Sequence, residues 1–218
     1  MKVKITSFGI AIFLVLISVF NVNAQDKWHE NNLERFVDGT MASHMNNHHI
    51  TAATISIVKD GEIKLAKGYG VENLKSNAVV NSSNSLFRIG SVTKLFTYTA
   101  IMQLYEQGKL DLDDDANKYL ISYQFPNEFN QVTTIRHLMT HTSGLEASFL
   151  GGIFHRTKAE TFSILDGLNT YKPKQVNPPG QHISYSNVGV TVLGRIIENI
   201  SGVSYCQYIE TNIFSPLK

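Results

Sequence analysis

Cysteine is almost absent from this 218-residue chain, Cys206 being the only one. A single thiol excludes an internal disulfide framework and the small stapled folds that depend on one. Cys206 stands among Tyr205, Tyr208 and Ile209 in a helical pattern, which reads as a buried, inert thiol. A catalytic cysteine needs a helix start or a cationic neighbour, and neither is evident there. An excess of charge is lacking as well. The formal net charge is +1, which gives no electrostatic reason to expect nucleic acid or an anionic membrane surface as partner. Internal repeats and low-complexity tracts are not found. What remains is 43% hydrophobic and 17% charged, a globular composition long enough for one large domain or two small ones.

The first 24 residues are set apart. MKVK is a short basic start, the next 16 residues (ITSFGIAIFLVLISVF) are dominated by apolar side chains, and Val22-Asn23-Ala24 offers a small residue before a cleavage point. This predicts a signal peptide over 1–24, cut between Ala24 and Gln25, and export to the periplasm or medium. The competing reading is an uncleaved anchor, because such a run approaches the roughly 17 residues that span a bilayer. No cysteine follows the run, so a lipid anchor is not expected. Without Lys2 and Lys4, 17 basic residues face 18 acidic ones.

Helical spacing of Leu33, Phe36, Val37, Met41 and Met45 predicts an amphipathic helix over about 26–45. ATISIVKDGEIKLAKGYG contains two β-rich runs around Asp60-Gly61, a strong hairpin signal. From Ser91, SVTKLFTYTAIMQLYEQ reads as a helix stopped by Gly108. A polar and mostly irregular stretch over 109–132 precedes TIRHLMTHTSGL, read as a short helix ended by Gly144. Further helices are predicted over 159–170, over VGVTVLGRIIENISG with Gly202 as its stop, and from Ser204 into Pro216.

The pattern S-x-x-K occurs three times: Ser56–Lys59, Ser91–Lys94 and Ser215–Lys218. In a strand, residues three apart face opposite ways, so the first pair cannot converge. The third straddles Pro216 at the end of the sequence. Only Ser91–Lys94 lies at a helix start, where i and i+3 share a face, and Gly90 before it lets a ligand approach the backbone. A serine hydroxyl becomes a nucleophile when a neighbouring base takes its proton. A partly buried lysine can be that base or stabilise one. The plainer alternative makes Ser91 a helix N-cap and Lys94 a surface residue. Tyr185-Ser186-Asn187 is the only Y-x-N, between Pro178-Pro179-Gly180 and a helix start. A phenol, with its usual pKa of about 10, serves as a base beside a cation such as Lys94. Asn187 could donate to a substrate carbonyl and to the lysine region. The alternative here is Tyr185 as packing and Asn187 as an N-cap.

Together these motifs resemble the serine β-lactamase and penicillin-binding protein superfamily, most closely its class C β-lactamase-like serine hydrolases, whose relatives share the S-x-x-K signature. VKDGEIKLAKGYG, LFRIGSVTKLFT, GKLDLDDDANKYL, TIRHLMTHTSGL, PPGQHISYSN and YIETNIFSPLK follow in that family's order over about 26–218. The resemblance implies an α+β fold, an antiparallel sheet flanked by helices plus a helical region. It also implies an acyl-enzyme mechanism on an amide or ester: a β-lactam, a D-amino-acid peptide or a simple ester. Ser91 would be the nucleophile, Lys94 and Tyr185 would share proton transfer, and Asn187 would position substrate. No metal and no organic cofactor is implied, and the expected partner is a small-molecule or peptide substrate. The main alternative is a non-catalytic ligand-binding or peptidoglycan-sensing protein on the same scaffold.

The family also carries a lysine or histidine, a small residue and a glycine on a strand downstream of the Y-x-N, and none follows Asn187 here. The C-terminal half of the sheet is thus expected to be missing, with residues 25–218 forming the N-terminal portion of the hydrolase domain. In the family one oxyanion donor comes from that strand, and losing such a donor typically costs about 10²–10³ in rate. Weak activity, or a piece with no folded role, follows as an expectation.

Two remaining clusters point elsewhere. Asp111, Asp113 and Asp115 mimic the start of a calcium loop, but Ala116 and Ser122 stand where glycine and glutamate belong. His44, His48 and His49 lack the carboxylate or thiol partners of a metal site, and a polar helix end accounts for them. His137 and His141, one turn apart, read as structural.

Overall fold

The computed structural model describes residues 30–146, 157 and 161–217. The predicted signal peptide, the first residues of the helix expected over 26–45, and Lys218 lie outside them. Two compact units divide the chain, one up to Arg88 and one from Ile89 onward.

In the first unit, helix α1 (Glu30–Asn47) is followed by strands β1 (Ala52–Lys59), β2 (Glu62–Asn73) and β3 (Ala78–Val79), forming one antiparallel sheet of order β1-β2-β3. The hairpin turn lies at Asp60-Gly61, as the sequence predicts. Both residues take positive φ, +54° and +77°, the twist that joins two right-handed strands tightly. Ala52 pairs with Gly70 and Lys59 with Glu62, with one bulge near Ile57. Gly70 is required where it stands, because a Cβ there would meet the Thr51 carbonyl oxygen at 2.1 Å. Helix α1 is tied to β2 by Lys67, which reaches Glu34 at 2.7 Å and Asp38 at 2.8 Å. The Tyr69 hydroxyl donates to the same Asp38 at 2.7 Å. Burial, then Asp38, pushes that phenol up to about 12.

The second unit is helical. A 3-10 turn (Gly90–Val92) leads into α2 (Thr93–Glu106), and α3 (Ile135–Met139), α4 (Ile164–Tyr171), α5 (Asn187–Ser201) and α6 (Tyr205–Ile209) follow. Helix α5 is the axle. Val188, Val192, Leu193, Ile196 and Ile197 are wholly buried, an apolar face too broad for a surface helix. Ala100, Ile101 and Leu104 of α2, Ile135 and Leu138 of α3, and Leu168 of α4 join it in one core. Its ends are defined by chemistry. Ser186 Oγ accepts the Gly189 N–H at 3.1 Å, and Gly202, at φ +74°, closes the far end.

Several expectations are corrected. Helix α3 ends at Met139 rather than Gly144, and His141 takes φ +59°. The pair His137 and His141 therefore does not share a helix. His137 Nδ1 instead accepts the Thr134 N–H while Thr134 Oγ1 accepts the His137 N–H, both at 3.2 Å, a capping box with histidine in the usual place of Glu or Gln. Cys206 is exposed, not buried. Tyr208 and Ile209 face the core two and three residues later, and a helix advances about 100° per residue, which turns Cys206 outward. The last helical stretch loosens and then tightens, passing from α6 through a π turn (Glu210–Phe214) to a 3-10 turn (Ser215–Leu217). In the aspartate cluster, Asp113 forms a two-pronged pair with Arg136 at 2.7 and 2.8 Å, and Asp115 accepts the Asn117 N–H. Among the described residues no helix is long and apolar enough to cross a membrane.

Because Ile196 is fully enclosed on α5, Ile196→Ala is expected to destabilise the second unit by about 2–5 kcal/mol through lost transfer energy and a cavity. Urea unfolding followed by circular dichroism checks this; an unchanged midpoint would refute the central place given to α5.

Candidate active site

Ser91 lies in the 3-10 turn and Lys94 in the first turn of α2, one turn apart on one face. Neither the 3-10 turn nor α2 has a side-chain cap at its start, so Ser91 is not an N-cap. Its hydroxyl oxygen instead accepts from Lys94 Nζ at 3.0 Å and from the Tyr185 hydroxyl at 2.7 Å. Lys94 Nζ also donates to Asn187 Oδ1 at 2.7 Å and lies 4.9 Å from the centre of the Tyr185 ring. All four residues singled out in the sequence thus meet at one point.

The Y-x-N arm reaches that point because of its backbone. Ser186 is extended, at φ −129° and ψ +117°, and in extended chain residues i and i+2 point the same way. Tyr185 and Asn187 therefore flank Lys94 and Ser91 together, while Ser186 turns into the core, wholly buried. Ser186, not Asn187, is the N-cap of α5. The direction of the Asn187 contact also differs from expectation. An ammonium can only donate, so Asn187 Oδ1 accepts from the lysine rather than the amide nitrogen donating to it.

Electrostatics act on the phenol. The Lys94 ammonium, and after it the Ser91 hydroxyl, hold Tyr185 below the usual tyrosine value, since both favour the phenolate. The site is open: Ser91 is exposed, Lys94 is half-buried, and Tyr185 is 49% exposed. A cleft of about 290 Å³ adjoins Lys94 and Asn187, walled by Thr93, Thr97, Thr191 and Tyr205. Tyr205 donates to or accepts from Thr97 across it at 2.7 Å.

One neighbour was not singled out as functional from the sequence. His141 stacks on Tyr185, with ring centres 4.3 Å apart, and its Nδ1 accepts the Ser186 N–H at 3.2 Å. Its Nε2 lies 3.2 Å from the Tyr98 hydroxyl. The only signal for it was a histidine within the expected helix, directly before Thr142-Ser143-Gly144. Of the other S-x-x-K pairs, Ser56 and Lys59 lie on β1, and Ser215 lies in the last 3-10 turn while Lys218 is outside the described residues.

The family model described as Beta-lactamase matches residues 33–218. Protein flp of Staphylococcus aureus (strain N315) is 31% identical over 193 residues, covering 86% of this chain and 37% of its own length. The chain therefore spans little more than a third of that relative. A solved structure, the octameric penicillin-binding protein homologue from Pyrococcus abyssi, superposes with a TM-score of 0.71 at 32% identity, over 83% of this chain and 42% of that one. The D-alanine carboxypeptidase AmpC from Burkholderia cenocepacia gives a TM-score of 0.66 at 29% identity, over 86% and 48%.

Removing the cation tests the electrostatic link directly. In Lys94→Met the Tyr185 phenol is expected to titrate at higher pH than in the native chain. Ultraviolet difference titration of tyrosinate, with Tyr185→Phe as blank, reads it; an unmoved midpoint would show that Lys94 does not act on the phenol.

Proposed function

The chain belongs to the Beta-lactamase family, and on that footing we propose that it is a serine hydrolase that forms an acyl-enzyme through Ser91. The observation that carries this reading is the convergence of Lys94 Nζ and the Tyr185 hydroxyl on one serine oxygen, at 3.0 and 2.7 Å.

In this proposal the reactive form has Tyr185 as phenolate, held so by the adjacent ammonium. Ser91 then donates its proton to the phenolate as Oγ bonds to the substrate carbonyl carbon. The carbonyl oxygen becomes an oxyanion near the start of α2, where the helix dipole is positive. The Tyr185 hydroxyl returns its proton to the leaving amine or alcohol as the C–N or C–O bond breaks. Water, deprotonated by the same phenolate, attacks the ester, and Ser91 recovers its proton from Tyr185. Lys94 stays charged throughout and keeps the phenolate stable. The free amide nitrogen of Asn187 donates to a substrate carbonyl.

The substrate is a small molecule or short peptide with an amide or ester: a β-lactam, a D-amino-acid peptide or a simple ester. The names of the similar proteins, penicillin-binding protein homologue and D-alanine carboxypeptidase, support that range. The cleft beside Lys94 is at the small end of ligand pockets, which run from about 300 Å³ upward. Export belongs to the proposal too, carried by the residue pattern over 1–24, and N-terminal sequencing of the secreted product is expected to begin at Gln25.

The native chain is expected to gain the mass of one acyl or phosphonyl group when treated with a penicillin or a fluorophosphonate, and Ser91→Ala is expected to gain none. Intact-mass spectrometry decides. Ligand binding that survives Ser91→Ala, with no adduct on the native chain, would instead support a binding protein. Tyr185→Phe is expected to slow labelling by about 10²–10⁴-fold, the usual contribution of a proton-transfer group. The native rate is expected to rise with pH as the phenol ionises. A flat profile through the phenol's titration would remove Tyr185 from its role as base.

A further inference from the structure

We propose that His141, as a neutral ring carrying its proton on Nε2, is a positioning residue that clamps the segment Ser184–Ser186 and so aims the Tyr185 phenol at Ser91. The kinetic consequence rests on Ser91 being the nucleophile; the clamp itself does not.

Four contacts converge on this residue. Its backbone carbonyl accepts the Ser184 N–H at 2.7 Å, and its Nδ1 accepts the Ser186 N–H at 3.2 Å. Both peptide N–H groups flanking Tyr185 therefore end on one side chain and its own carbonyl. The imidazole lies against the Tyr185 ring at 4.3 Å between centres and 37° between planes, which limits the ring torsions left to the tyrosine. Nε2 lies 3.2 Å from the Tyr98 hydroxyl on α2, so the clamp is anchored to the helix that carries Lys94. The residue adopts φ +59°, a left-handed conformation uncommon for residues other than Gly, though His is among the side chains enriched there. Helix α3 stops early, and this turn brings ring and carbonyl to the same segment.

The tautomer follows from donor counting. A backbone N–H can only donate, so Nδ1 must present its lone pair and the single proton of the neutral ring sits on Nε2. Protonation would set N–H against N–H at Ser186 and add a second positive charge beside Lys94. The titratable groups facing the ring are Lys94 and Tyr98 from α2 and Tyr185 from the segment before α5. His137 on α3 is held by Thr134 instead. Burial, and after it the Lys94 charge, keep His141 below its ordinary value near 6.5. For a histidine favoured neutral in the fold, the unfolded chain binds the extra proton first. Stability therefore falls as pH drops from about 6.5 through the lowered value, and the clamp loosens on the acid side.

Two variants separate aiming from mere filling. His141→Asn places an amide oxygen where Nδ1 stood, accepts the left-handed backbone and cannot titrate. His141→Gln puts its amide at the Nε2 end and leaves the Ser186 N–H without that acceptor. In the native chain, nitrogen shifts of isotope-labelled imidazole are expected to report the Nε2–H form at neutral pH. Ring-carbon shifts of Tyr185 are expected to show its titration preserved in His141→Asn and moved upward in His141→Gln. Ser91 acylation is expected to be rescued in His141→Asn, without the acid-side step of the native profile. In His141→Gln it falls about 10²-fold, as for a reacting group displaced by about 1 Å. A proton on Nδ1 in the native chain, or a Tyr185 titration unmoved in folded His141→Gln, overturns the proposal. If His141→Gln does not fold, the native tautomer and the His141→Asn titration decide. If the native chain shows no acylation at all, the hydrolase reading fails, and the tautomer and Tyr185 titration still judge the clamp.

Discussion

Lys94 Nζ holds the site together. Its bonds to Ser91 and Asn187, at 3.0 and 2.7 Å, link the start of α2 to the start of α5, and its charge lies beneath the Tyr185 ring at 4.9 Å. An ammonium has three protons and no lone pair, so every group around it must offer an oxygen or a π face. That single demand orients the serine hydroxyl, fixes which end of the asparagine amide turns inward, and biases the phenol toward its anion. A neutral side chain of the same length would satisfy none of the three.

What holds Lys94 in place is apolar. The two helices that carry the site share one core, in which Ala100, Ile101 and Leu104 of α2 are enclosed with Val188, Val192 and Leu193 of α5. Interiors packed to this degree leave little room for a helix to shift. The polar cluster therefore sits on rigid supports while its own surface stays open to solvent. Ser186 couples the two layers: its buried hydroxyl caps α5, and its extended backbone sets Tyr185 and Asn187 on the same side.

The neighbours of the site divide between scaffold and chemistry in a way that residue type alone does not reveal. His137 and His141 are four positions apart in one short motif, yet the first closes the start of α3 and the second leaves the helix to lie against Tyr185. Likewise Asp111, Asp113 and Asp115 look like ligands in sequence, but Asp113 meets Arg136 and Asp115 caps a turn. For the histidines the decisive fact is where α3 stops.

Much was legible from order and period. The Asp60-Gly61 hairpin, the helix after Ser91, the helix ending at Gly202, and the preference for Ser91–Lys94 over the two other S-x-x-K pairs all follow from local rules: turn stereochemistry, a 3.6-residue repeat, and which neighbours share a face. Those rules operate within a dozen residues, so the chain alone could specify them. The rest involves partners about 45 to 95 positions apart. Cys206 was misread because apolar neighbours in sequence do not say which way a helix turns once it packs. The acceptor role of the asparagine and the place of His141 against Tyr185 depend on packing that brings separate segments to one point. Sequence by itself determined which residue types were available and in what local spacing; the tertiary structure alone decided which of them meet, because hydrogen-bond direction and burial exist only between groups that the fold has made neighbours.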